Sequence, residues 1–147
     1  MTATNHVVTG ALIAASITNP WFCLPLALLS HVVLDMLPHF GVNTRELKGF
    51  IPVLITDIII ASIILLTLLI TRPSGYILIV AGAITASSPD LLSIPYFISL
   101  LKHRKHQFGI VQRFLSRIQW SETVLPGLAI EVAWFSVLGT ILLQKLT

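Results

Sequence analysis

Charge is what this chain most conspicuously lacks. Of 147 residues only 10% are Asp, Glu, Lys or Arg, where a soluble globular domain carries about 25%. Too few charges are present to cover a water-facing surface, which excludes a soluble monomer. The same scarcity excludes disorder, and no collagen or heptad period is present. Cysteine is scarcer still. Cys23 stands alone, so neither an intrachain disulfide nor a cysteine-based zinc cluster can form. The start, Met1-Thr2-Ala3-Thr4-Asn5-His6, has no positive n-region, and no small-residue cleavage site ends the first apolar run, so that run is expected to be retained.

What is abundant is apolar: 55% of residues are hydrophobic, and mean hydropathy is +0.91. The expected fold class is an all-α, polytopic membrane bundle forming one domain, with about five membrane segments plus one interfacial helix. Residues 4–18 and 20–37 read as a helical hairpin broken at Asn19-Pro20 and stopped at Pro38. A polar loop with Arg45, Glu46 and Lys48 follows. Residues 51–71 form the most regular span, and 75–101 form another, interrupted at Ser87-Ser88-Pro89-Asp90. Over 103–120, Val111, Phe114, Leu115 and Ile118 recur at helical spacing with Gln112, Arg113, Ser116, Arg117 and Gln119 opposite. That pattern predicts an amphipathic helix in the interface, with Trp120 at headgroup level. Thr123 can cap a last span over 123–144.

The net charge is +3. The few basic residues cluster, which suits a lipid surface; no nucleic-acid partner is expected. If five segments alternate, seven of the nine Lys and Arg fall on one side and only Arg72 and Lys145 on the other. The N-terminus and both basic loops are then expected in the cytoplasm, with the C-terminus outside, in an inner membrane.

Ionisable groups at membrane depth are costly and point to function. Here they are His6, His31, Asp35, His39, Asp57, Asp90 and Glu131. Asp57 lies about six residues into its span, or roughly 9 Å at the helical rise. On this topology every segment contributes at least one such group, all in the cytoplasmic half. His31 and Asp35 are four apart, so they share a helix face and can grip one ion, while His39 approaches from beyond Pro38. Imidazole with carboxylate suits a divalent transition metal, with zinc the leading choice and manganese or iron the others. The inventory exceeds the four ligands of one zinc, so either two ions are held or some groups act as outer shell and general base. The competing reading is a set of hydrogen-bonding pins between helices, which is favoured for Glu131. His103 and His106 are candidate ligands within a basic patch that could equally be solvated, and Arg104, Lys105 and Arg113 are candidate headgroup contacts. Asp57 and His39 are the candidate catalytic groups, and Asp57 is the preferred base because its span is the most regular.

Asn5-His6 with Gly10, Ser30-His31-Val32-Val33-Leu34-Asp35 running into Pro38-His39, Pro89-Asp90, and His103-Arg104-Lys105-His106 together resemble the motifs of the YdjM-like membrane-bound metal-dependent hydrolases. That resemblance implies a small helical inner-membrane protein with phospholipase-like chemistry; some members carry a LexA-binding label. It implies metal roles for His6, His31, Asp35 and Asp90, and for His103 or His106. The function expected from the sequence is metal-dependent hydrolysis of a phosphoester, most plausibly of a lipid, at the cytoplasmic face. The alternatives are metal or proton transport and a non-catalytic, metal-stapled bundle.

Overall fold

The computed structural model describes residues 1–41, 47–102 and 109–147; the side chains of 47–49, 100, 101 and 124 are outside the description. His103, Arg104, Lys105 and His106, with Arg45 and Glu46, therefore lie outside the described residues. The elements in chain order are α1 (Ala3–Ser16), α2 (Pro20–Asp35), β1 (His39–Phe40), α3 (Leu47–Thr71), α4 (Tyr76–Ser87), a 3-10 turn (Ser88–Ser93), α5 (Ile94–Leu101), α6 (Ile110–Ile118), β2 (Ser121–Glu122) and α7 (Val124–Leu146).

Among the described residues, three helical stretches are long and apolar enough to cross a membrane: Phe50–Thr71, Tyr76–Ser99 and Leu125–Leu146. The expected hairpin of spans is shorter. α1 has 14 residues and α2 has 16, about 21 and 24 Å at the helical rise, against a hydrocarbon core of about 30 Å. Asn19 sets their junction by accepting the Trp21 N–H at 3.0 Å, with Pro20 opening α2 where no N–H is needed.

α1 is the central element, packed by α2, α3, α4 and α7. The core joins its Val7, Val8, Ala11 and Ala14 to Cys23, Ala61, Leu68, Ile79, Val80, Ala83 and Leu142. Outward positions remain apolar. Ile55, Ile58, Ile59, Ile63, Leu66 and Ile70 of α3 are all exposed, as are Val132, Val137 and Leu143 of α7. Apolar exposure on this scale is a liability in water and the expected outer surface in lipid.

Lipid tails remove most of the hydrophobic drive for helix association, so close backbone packing must replace it. The α1–α4 seam does this with small residues four apart on both helices, Gly10 and Ala14 against Gly82 and Ala86. A Cβ on Gly10 would stand 2.3 Å from Gly82 O, and one on Gly82 would stand 2.7 Å from Ala14 Cβ. Only glycine permits this approach.

Two features were not legible in the sequence. β1 and β2 form a short parallel pair, His39 opposite Ser121 and Phe40 opposite Glu122. Its strands are too short for a periodicity signal. β1 also lies against the first turn of α7, where a Cβ on Gly127 would meet Phe40 backbone atoms at 2.7 Å. The amphipathic helix expected over 103–120 is described only as α6, and it ends at Ile118 with Gln119 as its extended C-cap. Thr123 occupies the N-cap position of α7, but its side chain makes no capping bond.

Candidate metal centre

The ionisable residues expected at membrane depth gather at one end of the bundle. The start of α1, the end of α2, the early part of α3, the 3-10 turn after α4, and α7 each bring one or more of them. Hydrogen bonds divide them into two groups with different work.

The first group grips the start of α1. Asp57 accepts from Ala3 N–H at 2.8 Å through Oδ2 and from Thr4 N–H at 2.9 Å through Oδ1. Glu131 accepts from Thr2 N–H at 3.0 Å, from the Thr2 hydroxyl at 2.6 Å and from the Asn5 side-chain amide. The first N–H groups of any helix lack intrahelical acceptors, and Thr2 at the N-cap makes no side-chain capping bond. Two carboxylates from other helices fill that role. They also meet the positive end of the α1 dipole, where negative charge is favoured. Asp57, expected from the sequence to serve as a general base, thus has both oxygens committed to backbone donors. Glu131 is an inter-helix pin.

The second group is His6, His31, Asp35 and Asp90. The His6 and His31 rings stack, with centroids 3.9 Å apart and planes inclined by 23°. Asp35 lies between them, its Oδ1 3.3 Å from His6 Nε2 and its Oδ2 3.4 Å from His31 Nε2. Its Oδ1 is also in contact with the Met1 amine. His31 Nδ1 is 2.9 Å from the Ala86 carbonyl. A carbonyl only accepts, so Nδ1 carries a proton and Nε2 is the ring nitrogen left for another partner. Nε2 lies 3.4 Å from Asp35 Oδ2 and 3.9 Å from Asp90 Oδ1.

The α1–α4 seam produces this cluster. His6 is one turn before Gly10 on α1, and Asp90 is four residues past Ala86. Gly10 meets both Gly82 and Ala86, while Ala14 meets Gly82. The helices therefore run antiparallel, and the contact carries His6 toward the Asp90 end of α4. The 3-10 turn, which Pro89 opens, takes Asp90 out of the regular helix at that point.

Both ring nitrogens of His6 and Oδ2 of Asp90 are inaccessible and make no hydrogen bond, His6 Nε2 having only the ion-pair contact with Asp35 at 3.3 Å. Leaving such groups unpaired costs about 1–3 kcal/mol each, which a simple hydrogen-bonded pin would avoid. One ligand atom each from His6, His31 and Asp90 lies within 4.8 Å of the others, close enough for a single ion to contact all three. His6 and His31 are fully buried, whereas the Asp90 side chain is 37% exposed, so the cluster opens at Asp90. The donor set of imidazole nitrogen and carboxylate oxygen fits zinc, manganese or iron.

His39 is buried at the start of β1, outside the long helices, and its Nδ1 donates to Leu37 O at 2.8 Å. Burial lowers its pKa, so the ring is neutral at pH 7. Arg113 is exposed on α6.

Sequence reasoning missed Gln119. Its side-chain amide donates to Asp35 Oδ2 at 3.2 Å. It stood on the polar face of the amphipathic helix, where nothing in the pattern separates a side chain bonded to another helix from one bonded only to solvent. Gly82 and Ala86 were also missed, although their four-residue spacing was visible.

No family model, curated protein or solved structure is significantly similar to this chain.

Proposed function

We propose that this protein is a membrane-embedded, divalent-metal-dependent hydrolase of a phosphoester, with lipid phosphoesters as the substrate class. The observation that carries the reading is the group of ligand atoms on His6, His31 and Asp90 within 4.8 Å of one another, with His6 Nδ1 and Asp90 Oδ2 buried and left without a hydrogen bond. In this reading His6, His31 and Asp90 hold the ion. Asp35, within 3.4 Å of both imidazoles, adds negative charge that offsets a dication. When bound, the ion supplies Lewis acidity toward a phosphoryl oxygen and a more acidic water.

The remaining roles fall to the chain's own groups. His39 is neutral, its Nδ1 proton is committed to Leu37, and its Nε2 is the lone pair left to accept a proton. Asp57 and Glu131 hold the start of α1 and thereby the position of His6. The opening at Asp90 admits an anionic group from the bundle end. Arg113, exposed on α6, and the basic residues Arg104 and Lys105 expected from the sequence supply positive charge that attracts an anionic headgroup. The basic loops and the N-terminus face the cytoplasm of an inner membrane in this arrangement, by the excess of Lys and Arg on that side.

The test combines elemental analysis with phosphate or headgroup release from mixed micelles. Freshly purified wild type should carry a transition metal in stoichiometric amount. His6→Ala, His31→Ala and Asp90→Ala should each lose most of it, together with turnover. Metal-free wild type overturns the metal reading. Full metal without release from any lipid phosphoester overturns the hydrolase and leaves a metal staple or a transport site.

A further inference from the structure

α6 spans between the two segments that carry the carboxylates of the metal centre. At its first turn the Gln112 side-chain amide donates to the carbonyl of Leu92, two residues beyond Asp90 in the same 3-10 turn. Just past its last turn the Gln119 amide donates to Asp35 Oδ2 at 3.2 Å, and the next residue, Trp120, donates its backbone N–H to Asp35 O at 3.1 Å. His39 N–H closes the clip on Trp120 O at 3.2 Å. Gln112 and Gln119 are seven residues apart, which is two helical turns and about 10 Å, and therefore one face of the helix. Ile110 and Phe114, on the opposite side, are exposed.

Resting on the metal reading above, we infer that Gln119 and Gln112 are positioning residues of the metal centre: α6 is a spacer that fixes Asp35 and the Asp90 turn at the separation one ion requires. The chemistry suits the role. An amide N–H fixes a carboxylate oxygen without cancelling its charge, so Asp35 keeps its attraction for a cation. The bond to Oδ2 leaves further lone pairs on Asp35 for its histidine side. The backbone bond from Trp120 anchors the same residue at its carbonyl, so rotation of the Asp35 side chain and drift of the α2 end are restrained together. Nothing in α2 itself could do this, because the last carbonyls of a helix have no intrahelical partners. Gln112 acts one step further out, on the main chain of the Asp90 turn.

The experiment is cobalt(II) titration of purified full-length protein in detergent, read by visible d–d absorption, with zinc competition for affinity. Gln119→Leu removes the donor at similar size, and Gln119→Asn draws the amide back by about one bond length, roughly 1.5 Å. Each should weaken cobalt binding by about 10- to 100-fold, the usual effect of removing an outer-shell partner, and should shift the absorption bands, which report ligand geometry. Gln112→Leu should give a smaller loss. Arg117→Ala, on the exposed side of the same helix, should change neither affinity nor spectrum, and circular dichroism checks that every variant is folded. Wild-type affinity and spectrum in folded Gln119→Leu or Gln119→Asn would overturn the inference while leaving the metal reading intact. Absence of cobalt uptake by the wild type would overturn both.

Discussion

Replacing Gly10 by alanine tests whether the small-residue seam builds the metal centre. The added Cβ would fall 2.3 Å from Gly82 O and 2.6 Å from Ala86 Cβ, where ordinary contact begins at 3.4 Å. α1 and α4 must therefore separate by about 1 Å, since a close-packed interior has no slack to absorb the atom. Ala86 O accepts from His31 Nδ1 at 2.9 Å. If α4 retreats while α2 stays, that distance grows to about 3.9 Å, beyond hydrogen-bond range. Overpacking costs about 1–3 kcal/mol, and the lost bond adds about 1 kcal/mol. The higher helix propensity of alanine returns about 1 kcal/mol. The net expectation is destabilisation by about 1–3 kcal/mol, with metal affinity falling at least about tenfold as the ligand set is disturbed.

Gly139→Ala is the matched control. It is the same substitution within a helix, but its Cβ would meet nothing within 4 Å, so it should be neutral or slightly stabilising. Thermal unfolding in detergent and cobalt titration on both variants supply the comparison. If Gly10→Ala melts at or above the temperature of Gly139→Ala and binds metal like the wild type, the seam does not set the site.

Three further outcomes are expected. Asp57→Asn keeps the shape but loses one of the two acceptors for Ala3 and Thr4, so it should lower stability by about 1–2 kcal/mol, as loss of a helix cap does. Its bound metal, by elemental analysis, should remain much closer to wild type than that of His31→Ala; equal loss in the two would make Asp57 a ligand. Burial lowers the His39 pKa below its usual 6.5, so below pH 6.5 the unfolded chain takes up a proton that the folded chain refuses, and stability present at higher pH is lost as pH falls through that window. Melting temperature should thus drop between pH 7.5 and 5.5, and the drop should shrink in His39→Asn, whose amide can still donate to Leu37 O; an unchanged drop would show that His39 is not responsible. Finally, on a Cys23→Ala background, a single cysteine at Ser116 should label only from the cytoplasmic face and one at Ser74 only from the other, whereas labelling from one side at both positions would refute the proposed orientation.

Much of this was legible in the sequence. Scarce charge and long apolar runs required lipid around the chain, because a backbone with so few polar side chains cannot present a hydrated surface. The helical repeat placed His31 and Asp35 on one face without reference to any other element, since four residues make nearly one turn. The depth of the ionisable residues within their segments predicted a single polar layer, and His6, His31, Asp35 and Asp90 do come within 3.3–3.9 Å of one another across helices. Length also warned about the first hairpin: α1 and α2 are short because Asn19-Pro20 and Pro38 bound them, and a chain of that length falls short of a full bilayer.

What each carboxylate does within the layer was decided by tertiary structure alone. Asp57, Glu131, Asp35 and Asp90 look alike in the sequence, as acids near the ends of apolar helices. A carboxylate in a low-dielectric interior must find donors or a cation, and which it finds depends on how its helix is rotated and how closely its neighbour approaches. Asp57 and Glu131 meet the free N–H groups of α1 and are satisfied there. Asp35 and Asp90 meet imidazoles, because the contact of Gly10 with Gly82 and Ala86 draws His6 toward the end of α4. Pairing across helices is a long-range geometric fact, and no local pattern of residues carries it.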